Sequence, residues 1–158
     1  MTEPAFVYTI YIATRPEALW QALTSPAFTE QYWSGTALES DWEVGSPVRG
    51  RSSDHPGLHG EVLRAERPHA LSYTFQTPEN EAAGHPATRV AFDIRPFGEV
   101  VMLTVTHDEF PEGEAGAKFR RDIGQGWSGI LSSLKTLLES GEPLAYPAPY
   151  GPKRTPAS

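Results

Sequence analysis

Cysteine is absent from this chain of 158 residues, and methionine occurs only twice. Without cysteine the protein has no disulfide bridge, no cysteine nucleophile and no thiolate metal site. The sequence also lacks the run of about 20 apolar residues that a membrane-spanning helix needs, and its first residues lack the basic start and apolar core of a secretory signal. We therefore expect a cytoplasmic protein that folds without disulfides and does not insert into a membrane.

Positive charge is scarce as well. Lysine and arginine number 13 against 20 aspartate and glutamate residues, so the formal net charge is −7, and phosphate backbones are repelled on average. No GxGxxG motif follows a predicted strand and no GxxxxGK[ST] motif occurs, and the HExxH zinc motif and the GxSxG elbow of serine hydrolases are also missing. The sequence therefore predicts no nucleic-acid partner, no cofactor and no metal.

The length of the chain fits one domain, which at this size buries about 68 to 70% of its unfolded surface. We place that domain at residues 1–141. The remaining tail, Glu142 to Ser158, favours extended or disordered chain because it contains Pro143, Pro147, Pro149, Pro152 and Pro156. Tyr146 and Tyr150 leave open the alternative that the tail docks on this chain or on a second copy.

The spacing of apolar residues predicts an α+β fold. A first strand has one apolar face, formed by Phe6, Tyr8, Ile10 and Ile12. Pro16 then suits the first position of a helix, which Pro26 interrupts, and a second short helix covers Ala27 to Tyr32. Between Trp33 and Phe110, short β-rich runs broken by turn residues predict six antiparallel strands.

Two of these strands show one apolar face each, formed by Leu71, Tyr73 and Phe75 and by Val90, Phe92 and Ile94. In the last strand Leu103, Val105 and His107 alternate with Met102, Thr104 and Thr106, so its two sides differ less, and His107 is expected to point inward. A long amphipathic helix over residues 117–139 supplies the apolar stripe that covers this face. Gly124, Gly126 and Gly129 interrupt the helix, and each costs roughly 1 kcal/mol relative to alanine. They indicate either close packing or empty space beside the helix.

Several short motifs occur in a characteristic order. They are Arg15-Pro16-Glu17-Ala18-Leu19-Trp20-Gln21-Ala22-Leu23, Trp42-Glu43-Val44-Gly45, Gly60-Glu61-Val62 with Leu71-Ser72-Tyr73-Thr74-Phe75, Leu103-Thr104-Val105-Thr106-His107, and Gly126-Trp127 with Leu134 and Leu138-Glu139. In order and spacing they resemble the START-like, helix-grip superfamily, also called SRPBCC, in its heat-shock ATPase activator homologue-like branch. The resemblance covers Phe6 to Gly141. It does not extend to the additional N-terminal domain of the branch's eukaryotic relatives.

The resemblance implies a START/Bet v-like helix-grip fold, in which a curved antiparallel sheet of about seven strands wraps around the C-terminal helix and two short helices follow strand 1. It also implies an elongated apolar cavity between sheet and helix. The candidate lining residues here are Trp33, Tyr73, Phe75, Phe92, Ile94, Leu103, Val105, His107, Ile123, Gly126, Trp127 and Ile130. The alternative for each large apolar residue is that it fills a solid core.

Catalytic groups are few. His107 and Asp108 are adjacent on a strand, so their side chains point to opposite faces, and His107 is expected to be a neutral, hydrogen-bonded core residue rather than an acid or base. Arg49 and Arg51 share one strand face, which is either solvated or able to bind an acidic ligand group. No catalytic residue is assigned.

These observations predict a binding protein for a small, largely apolar molecule, lipid-like or aromatic. Two alternatives stay open. One is an interaction module of the chaperone and cochaperone type, with a protein partner or a homodimer. The other is a cyclase or hydrolase that uses the same cavity, against which stands the lack of a recognisable acid and base pair.

Overall fold

The computed structural model describes residues 4–52 and 57–144. Seven strands and four helices lie in these ranges: β1 (Phe6–Ile12), α1 (Pro16–Thr24), α2 (Pro26–Tyr32), β2 (Ala37–Glu39), β3 (Pro47–Arg51), β4 (His59–Glu66), β5 (Ala70–Phe75), α3 (Pro78–Ala82), β6 (Thr88–Phe97), β7 (Val100–Asp108) and α4 (Gly113–Ser140). The predicted order of one strand, two helices, six strands and a long helix is confirmed. The short helix α3 was not predicted.

One antiparallel sheet in the order β1-β7-β6-β5-β4-β3-β2 forms the frame of the molecule. The register pairs Val90 with His107 and Phe92 with Val105, so the predicted inward residues of β6 and β7 stand side by side. Burial alternates along β7, and the side chains of Leu103, Val105 and His107 are buried. The sheet therefore has the single apolar face that the sequence predicts, and the helix-grip architecture is confirmed.

The helix α4 covers this face with Trp127, Ile130, Leu131, Leu134 and Leu137, all of which are buried. It begins at Gly113, four residues before the predicted start at residue 117. No helix in residues 4–52 and 57–144 is long and apolar enough to cross a bilayer.

The helices α1 and α2 follow one another directly, and a proline determines how they join. Pro26 begins α2 directly after α1, and it has no N–H to donate to the carbonyl of Ala22 four residues earlier. The buried hydroxyl of Tyr32 donates to this carbonyl instead, at 2.8 Å. The same burial raises the pKa of Tyr32 far above its ordinary value.

Charged side chains of α4 also hold the free edge of β1. Four hydrogen bonds join them to backbone atoms: Arg120 donates to the carbonyls of Pro4 (2.8 Å) and Ala5 (3.1 Å), Lys135 donates to the carbonyl of Tyr11 (2.7 Å), and the N–H of Ala13 donates to Glu139 (2.8 Å). These bonds occupy part of an edge that would otherwise present unpaired backbone groups.

After α4 the chain turns back. Gly141 adopts a left-handed conformation with φ 90°, which glycine tolerates at a helix C-terminus. Three residues later, the N–H of Leu144 donates to Oγ of the buried Ser133 at 3.2 Å. The rest of the proline-rich tail, residues 145–158, lies outside the described residues, so the proposed domain end at residue 141 stays a prediction.

Candidate functional site

A half-open cleft lies between α3 and the first half of α4. Its volume is about 440 Å³, which falls within the range of small-molecule sites, about 300 to 1,000 Å³. The lining residues are Thr77, Pro78, Glu79, Asn80 and His85 on one side and Ala115, Lys118, Phe119 and Asp122 on the other. Both helices therefore contribute a wall.

Local hydrogen bonds position α3 as the outer wall. The hydroxyl of Thr77 caps the helix by accepting from the N–H of Asn80 at 3.3 Å. The buried side chain of Gln76 donates to the carbonyl of His85 at 2.9 Å, across the base of the segment. An exposed hydrogen bond between Nε2 of His59 on β4 and the carboxylate of Glu81 on α3, at 2.9 Å, adds a contact to the neighbouring strand.

Phe119 connects the cleft to the interior. Its ring centre lies 5.7 Å from that of Phe110 and 6.0 Å from that of His107. Both of these residues are buried, and their rings stack at 5.0 Å. Phe119 is therefore both part of the cleft lining and a member of a buried aromatic cluster.

The aromatic contacts continue across the inner face of the sheet. From His107 they pass to Trp127 at 6.2 Å, then to Phe92 at 5.8 Å, Tyr73 at 5.9 Å and Trp42 at 5.9 Å. We call this series, from Phe119 through Phe110 and His107 to Trp42, the aromatic row. Two further rings flank the row, with Trp33 5.1 Å from Trp127 and Phe75 5.1 Å from His107.

His107 forms the polar centre of the row. The indole N–H of Trp127 donates to Nδ1 of His107 at 3.0 Å, so the ring proton is carried by Nε2. Nε2 lies 2.7 Å from the hydroxyl of Thr88 and donates to it, because that hydroxyl donates in turn to the carbonyl of Phe75 at 3.0 Å. Burial lowers the pKa of His107 to about 3, and the imidazole is neutral.

This network determines what His107 can do chemically. Both ring nitrogens are engaged, and neither is available to a substrate without breaking a buried hydrogen bond. The adjacent Asp108 points to the other face, where it forms an ion pair with Arg89 at 2.7 Å. The arrangement agrees with a core histidine and supplies no paired acid and base.

The predicted lining residues come together between the sheet and α4. Ten of the twelve, all except Ile123 and Gly126, are buried, and their side chains fill the space around the aromatic row. Phe119 and the residues of α3 were not among the predicted lining residues. The position of Phe119 on the apolar stripe of the helix was the available signal, since this stripe runs on into the cleft wall.

The glycines of α4 differ in their surroundings. A Cβ atom at Gly124 would lie 2.9 Å from the ring of Phe6, whereas a Cβ atom at Gly126 would meet no atom within 4 Å. Gly124 therefore permits close packing against β1, and Gly126 adjoins open space. Both explanations that the sequence left open apply, each at a different residue.

The other candidate groups lie apart from the cleft. Arg49 and Arg51 are exposed on β3, and Arg51 forms an ion pair with Glu39. Among residues 4–52 and 57–144, no group of three or more histidine, aspartate or glutamate side chains is placed to hold a metal ion.

Three solved structures share this fold, and two of them are an Aha1 protein and an HSP90 activator. The Aha1 dimer from Colwellia psychrerythraea is 22% identical with a TM-score of 0.73, and the match covers 88% of this chain and 98% of that one. A protein from Mesorhizobium loti is 24% identical with a TM-score of 0.73, covering 85% and 96%. An HSP90 activator from Plasmodium falciparum is 22% identical with a TM-score of 0.69, covering 85% and 95%.

The family model agrees with these structural similarities, although no curated protein matches the sequence. The model described as "Activator of Hsp90 ATPase homolog 1-like protein" matches residues 13–139, from the end of β1 to the last turn of α4. The chain is therefore a member of the activator of Hsp90 ATPase homologue 1-like family, within the START-like helix-grip superfamily.

Proposed function

We propose that this protein binds a small, largely apolar molecule, lipid-like or aromatic, between the sheet and α4, and that the molecule enters through the cleft between α3 and α4. The observation that carries the proposal is the position of Phe119, which lines the cleft and contacts the buried rings of Phe110 and His107. A ligand that displaces the ring of Phe119 meets a continuous series of aromatic side chains.

The chemistry of the aromatic row suits such a ligand. Aromatic rings offer large apolar contact areas and favour offset or edge-to-face neighbours. The row also contains a few polar atoms, on Trp127, His107 and Thr88, whose hydrogen bonds orient the rings. A mostly apolar site with few polar groups is the common form of a small-molecule site.

Because the row is packed, ligand entry requires side chains to move. The open space beside Gly126 gives α4 and its neighbours room for this movement. We propose that the twelve residues predicted from the sequence form the inner site, with Phe119 at its entrance.

The test compares two leucine substitutions in α4. Gly126→Leu places its side chain in the open space, whereas Ser128→Leu places the same side chain at an exposed position of the same helix. We expect Gly126→Leu to weaken binding of anilinonaphthalene sulfonate, a long-chain fatty acid or a flavonoid by about tenfold or more, equivalent to about 1.4 kcal/mol. Ser128→Leu should leave the affinity unchanged.

Binding to the unmodified protein is measured by quenching of tryptophan fluorescence and by thermal melts. A ligand at 100 times its Kd raises the free energy of unfolding by about 2.7 kcal/mol. If none of these compounds raises the melting temperature, or if both leucine variants bind equally well, the proposed site is wrong.

A protein partner is the second function that a specific observation favours. Val7, Tyr11 and Phe97 are 58%, 47% and 61% exposed, and the rings of Tyr11 and Phe97 lie 5.6 Å apart. Clustered exposed apolar side chains mark interaction surfaces more often than isolated ones do. Two structural relatives, the Aha1 dimer and the HSP90 activator, suggest a second copy or a chaperone as the partner.

Tyr11→Ser with Phe97→Ser removes the two adjacent rings without touching the cleft. If the protein stimulates a chaperone ATPase or forms a dimer in light scattering, this double variant should lose that property, and Gly126→Leu should retain it. Stimulation that survives in the double variant would show that this surface is not the interface.

A further inference from the structure

The aromatic row contains four side chains with a hydrogen-bond donor, and three of these donors are bonded within the protein. The ring N–H groups of Trp127 and His107 belong to the network described above. The indole N–H of Trp42 donates to the carbonyl of Thr24 at 2.8 Å. The fourth donor is the hydroxyl of Tyr73, which makes no hydrogen bond with any residue in the described ranges 4–52 and 57–144.

The burial of this hydroxyl makes its lack of a described partner unusual. Tyr73 is only 1% exposed, and buried polar groups are nearly always hydrogen-bonded, because an unpaired group has lost its bonds to water without replacement. Burial also raises the pKa of Tyr73 well above its ordinary value, and the neighbouring Tyr32 adds to the rise. The hydroxyl therefore keeps its proton at physiological pH and remains a donor.

The neighbouring Tyr32 shows how a structural hydroxyl is held in the same core. Tyr32 is also 1% exposed, and its hydroxyl donates to the carbonyl of Ala22 at 2.8 Å. The ring of Tyr73 is explained by packing, since its centre lies 5.9 Å from the rings of Trp42 and Phe92. Phenylalanine would fill that place equally well, so packing does not explain the hydroxyl.

Tyr73 lies deep within the site proposed above. Four ring-to-ring steps of 5.8 to 6.2 Å lead from Phe119 at the cleft through His107, Trp127 and Phe92 to Tyr73. A ligand that enters past Phe119 and follows the row therefore meets this donor in the inner part of its path.

We propose that Tyr73 anchors the ligand, and that its hydroxyl donates a hydrogen bond to an uncharged oxygen, a ketone or ester carbonyl, on an otherwise apolar molecule. This inference rests on the proposed function. The acceptor is uncharged because a buried carboxylate or phosphate needs a cation beside it. The buried side chains of the described residues include no lysine or arginine, and His107 is neutral.

The proposal narrows the ligand class. Among lipid-like and aromatic molecules, it selects those that carry a carbonyl group on the apolar body, such as aryl ketones. The carboxylate of a fatty acid would stay at the wet cleft, so a fatty acid would gain nothing from the hydroxyl of Tyr73.

The test uses two probes of nearly the same shape, acetylnaphthalene and ethylnaphthalene substituted at the same ring position, which differ by one carbonyl group. Equilibrium dialysis measures their affinities for the unmodified protein, for Tyr73→Phe and for Tyr32→Phe. We expect Tyr73→Phe to weaken binding of acetylnaphthalene about tenfold and to leave ethylnaphthalene unchanged. Tyr32→Phe is the matched control, because it removes a buried hydroxyl that is already bonded, and it should leave the ratio of the two affinities unchanged.

An infrared measurement separates a hydrogen bond from a change in packing. In isotope-edited spectra, the carbonyl band of bound acetylnaphthalene should lie at lower wavenumber in the unmodified protein and in Tyr32→Phe than in Tyr73→Phe, because a hydrogen bond weakens the C=O bond. The same band position in all three proteins would overturn the proposal.

Thermal melts without ligand test the state of the hydroxyl. Tyr73→Phe should melt at the temperature of the unmodified protein or above it, since no protein hydrogen bond is removed, whereas Tyr32→Phe should melt lower. A comparable loss in both variants would overturn the proposal, because the hydroxyl of Tyr73 would then have a partner, such as an internal water, in the ligand-free protein.

The two levels of the argument fail in different ways. If neither naphthalene binds the unmodified protein, the proposed function fails and this inference fails with it. If both bind and Tyr73→Phe leaves the ratio of their affinities unchanged, the proposed function stands and the anchoring role of Tyr73 is wrong.

Discussion

Acid should destabilise this protein through protonation of the buried His107. The pKa of His107 is lowered from 6.5 to about 3 in the folded protein, because burial penalises the charged ring. The unfolded chain therefore protonates His107 at a higher pH than the folded protein does. The contribution of neutral His107 to the free energy of unfolding is complete above pH 6.5 and is lost as the pH falls towards 3.

The magnitude follows from the interval between the two pKa values. Within this window each pH unit costs about 1.4 kcal/mol, so unfolding at pH 5 should be easier than at pH 8 by about 2 kcal/mol from His107 alone. The carboxylates with lowered pKa add a loss in the same direction. Glu139, which accepts from the N–H of Ala13 and from Lys135, and Glu66, which pairs with Arg64, are both exposed and contribute less.

The variant His107→Asn isolates the histidine contribution. Asparagine removes the titration and keeps an oxygen near the position of Nδ1, where the indole of Trp127 donates. Urea unfolding followed by tryptophan fluorescence should show His107→Asn less stable at pH 8 by about 1 to 3 kcal/mol, since the buried hydroxyl of Thr88 loses the donor Nε2 of His107.

Between pH 8 and pH 5, however, the variant should lose about 2 kcal/mol less than the unmodified protein. Identical pH dependence in the two proteins would refute the reasoning, because it would mean that His107 protonates as readily in the folded protein as in the unfolded chain.

Two further predictions concern stability. Gly126→Ala should raise the free energy of unfolding by about 0.5 to 1 kcal/mol in urea titrations, and a lower free energy of unfolding would contradict the open space beside Gly126. Gly116→Ala should lower the free energy of unfolding by roughly 1 to 3 kcal/mol, because its Cβ would lie 1.6 Å from the carbonyl oxygen of Pro111. Tyr32→Phe leaves the carbonyl of Ala22 without its donor and should cost about 1 to 2 kcal/mol in the same assay, and an unchanged midpoint would contradict this role of the hydroxyl.

The sequence predicted the strands and their faces because alternation is a local property. Tyr73, Phe92 and Val105 point inward as their spacing requires, whatever the rest of the chain does. The helix α3 was missed because its five residues, Pro78–Ala82, contain no apolar period, and a hydroxyl cap at Thr77 was its main signal. The first turn of α4 was missed because Gly113 and Gly116 are poor helix formers.

The candidate site could be predicted only in part. The inward residues were available from their spacing, but whether space is filled or empty depends on side chains that are distant in sequence. The spacing places Gly124 and Gly126 on different faces of α4, but it does not tell which of them is crowded. That depends on Phe6, which β1 brings against Gly124, while a Cβ at Gly126 would meet no atom within 4 Å. The cleft depends on α3 and Phe119 lining the same space, an arrangement that no local pattern encodes.

The four hydrogen bonds between α4 and the edge of β1 have a mechanical consequence. They fasten the helix along one long side, at both ends of the strand, while the opposite side carries Gly126 and Phe119. Rotation of α4 by about 10° about this edge would shift the far side of a helix about 10 Å wide by roughly 2 Å. If a ligand enters beside Phe119 as proposed, such a rotation would widen its entrance.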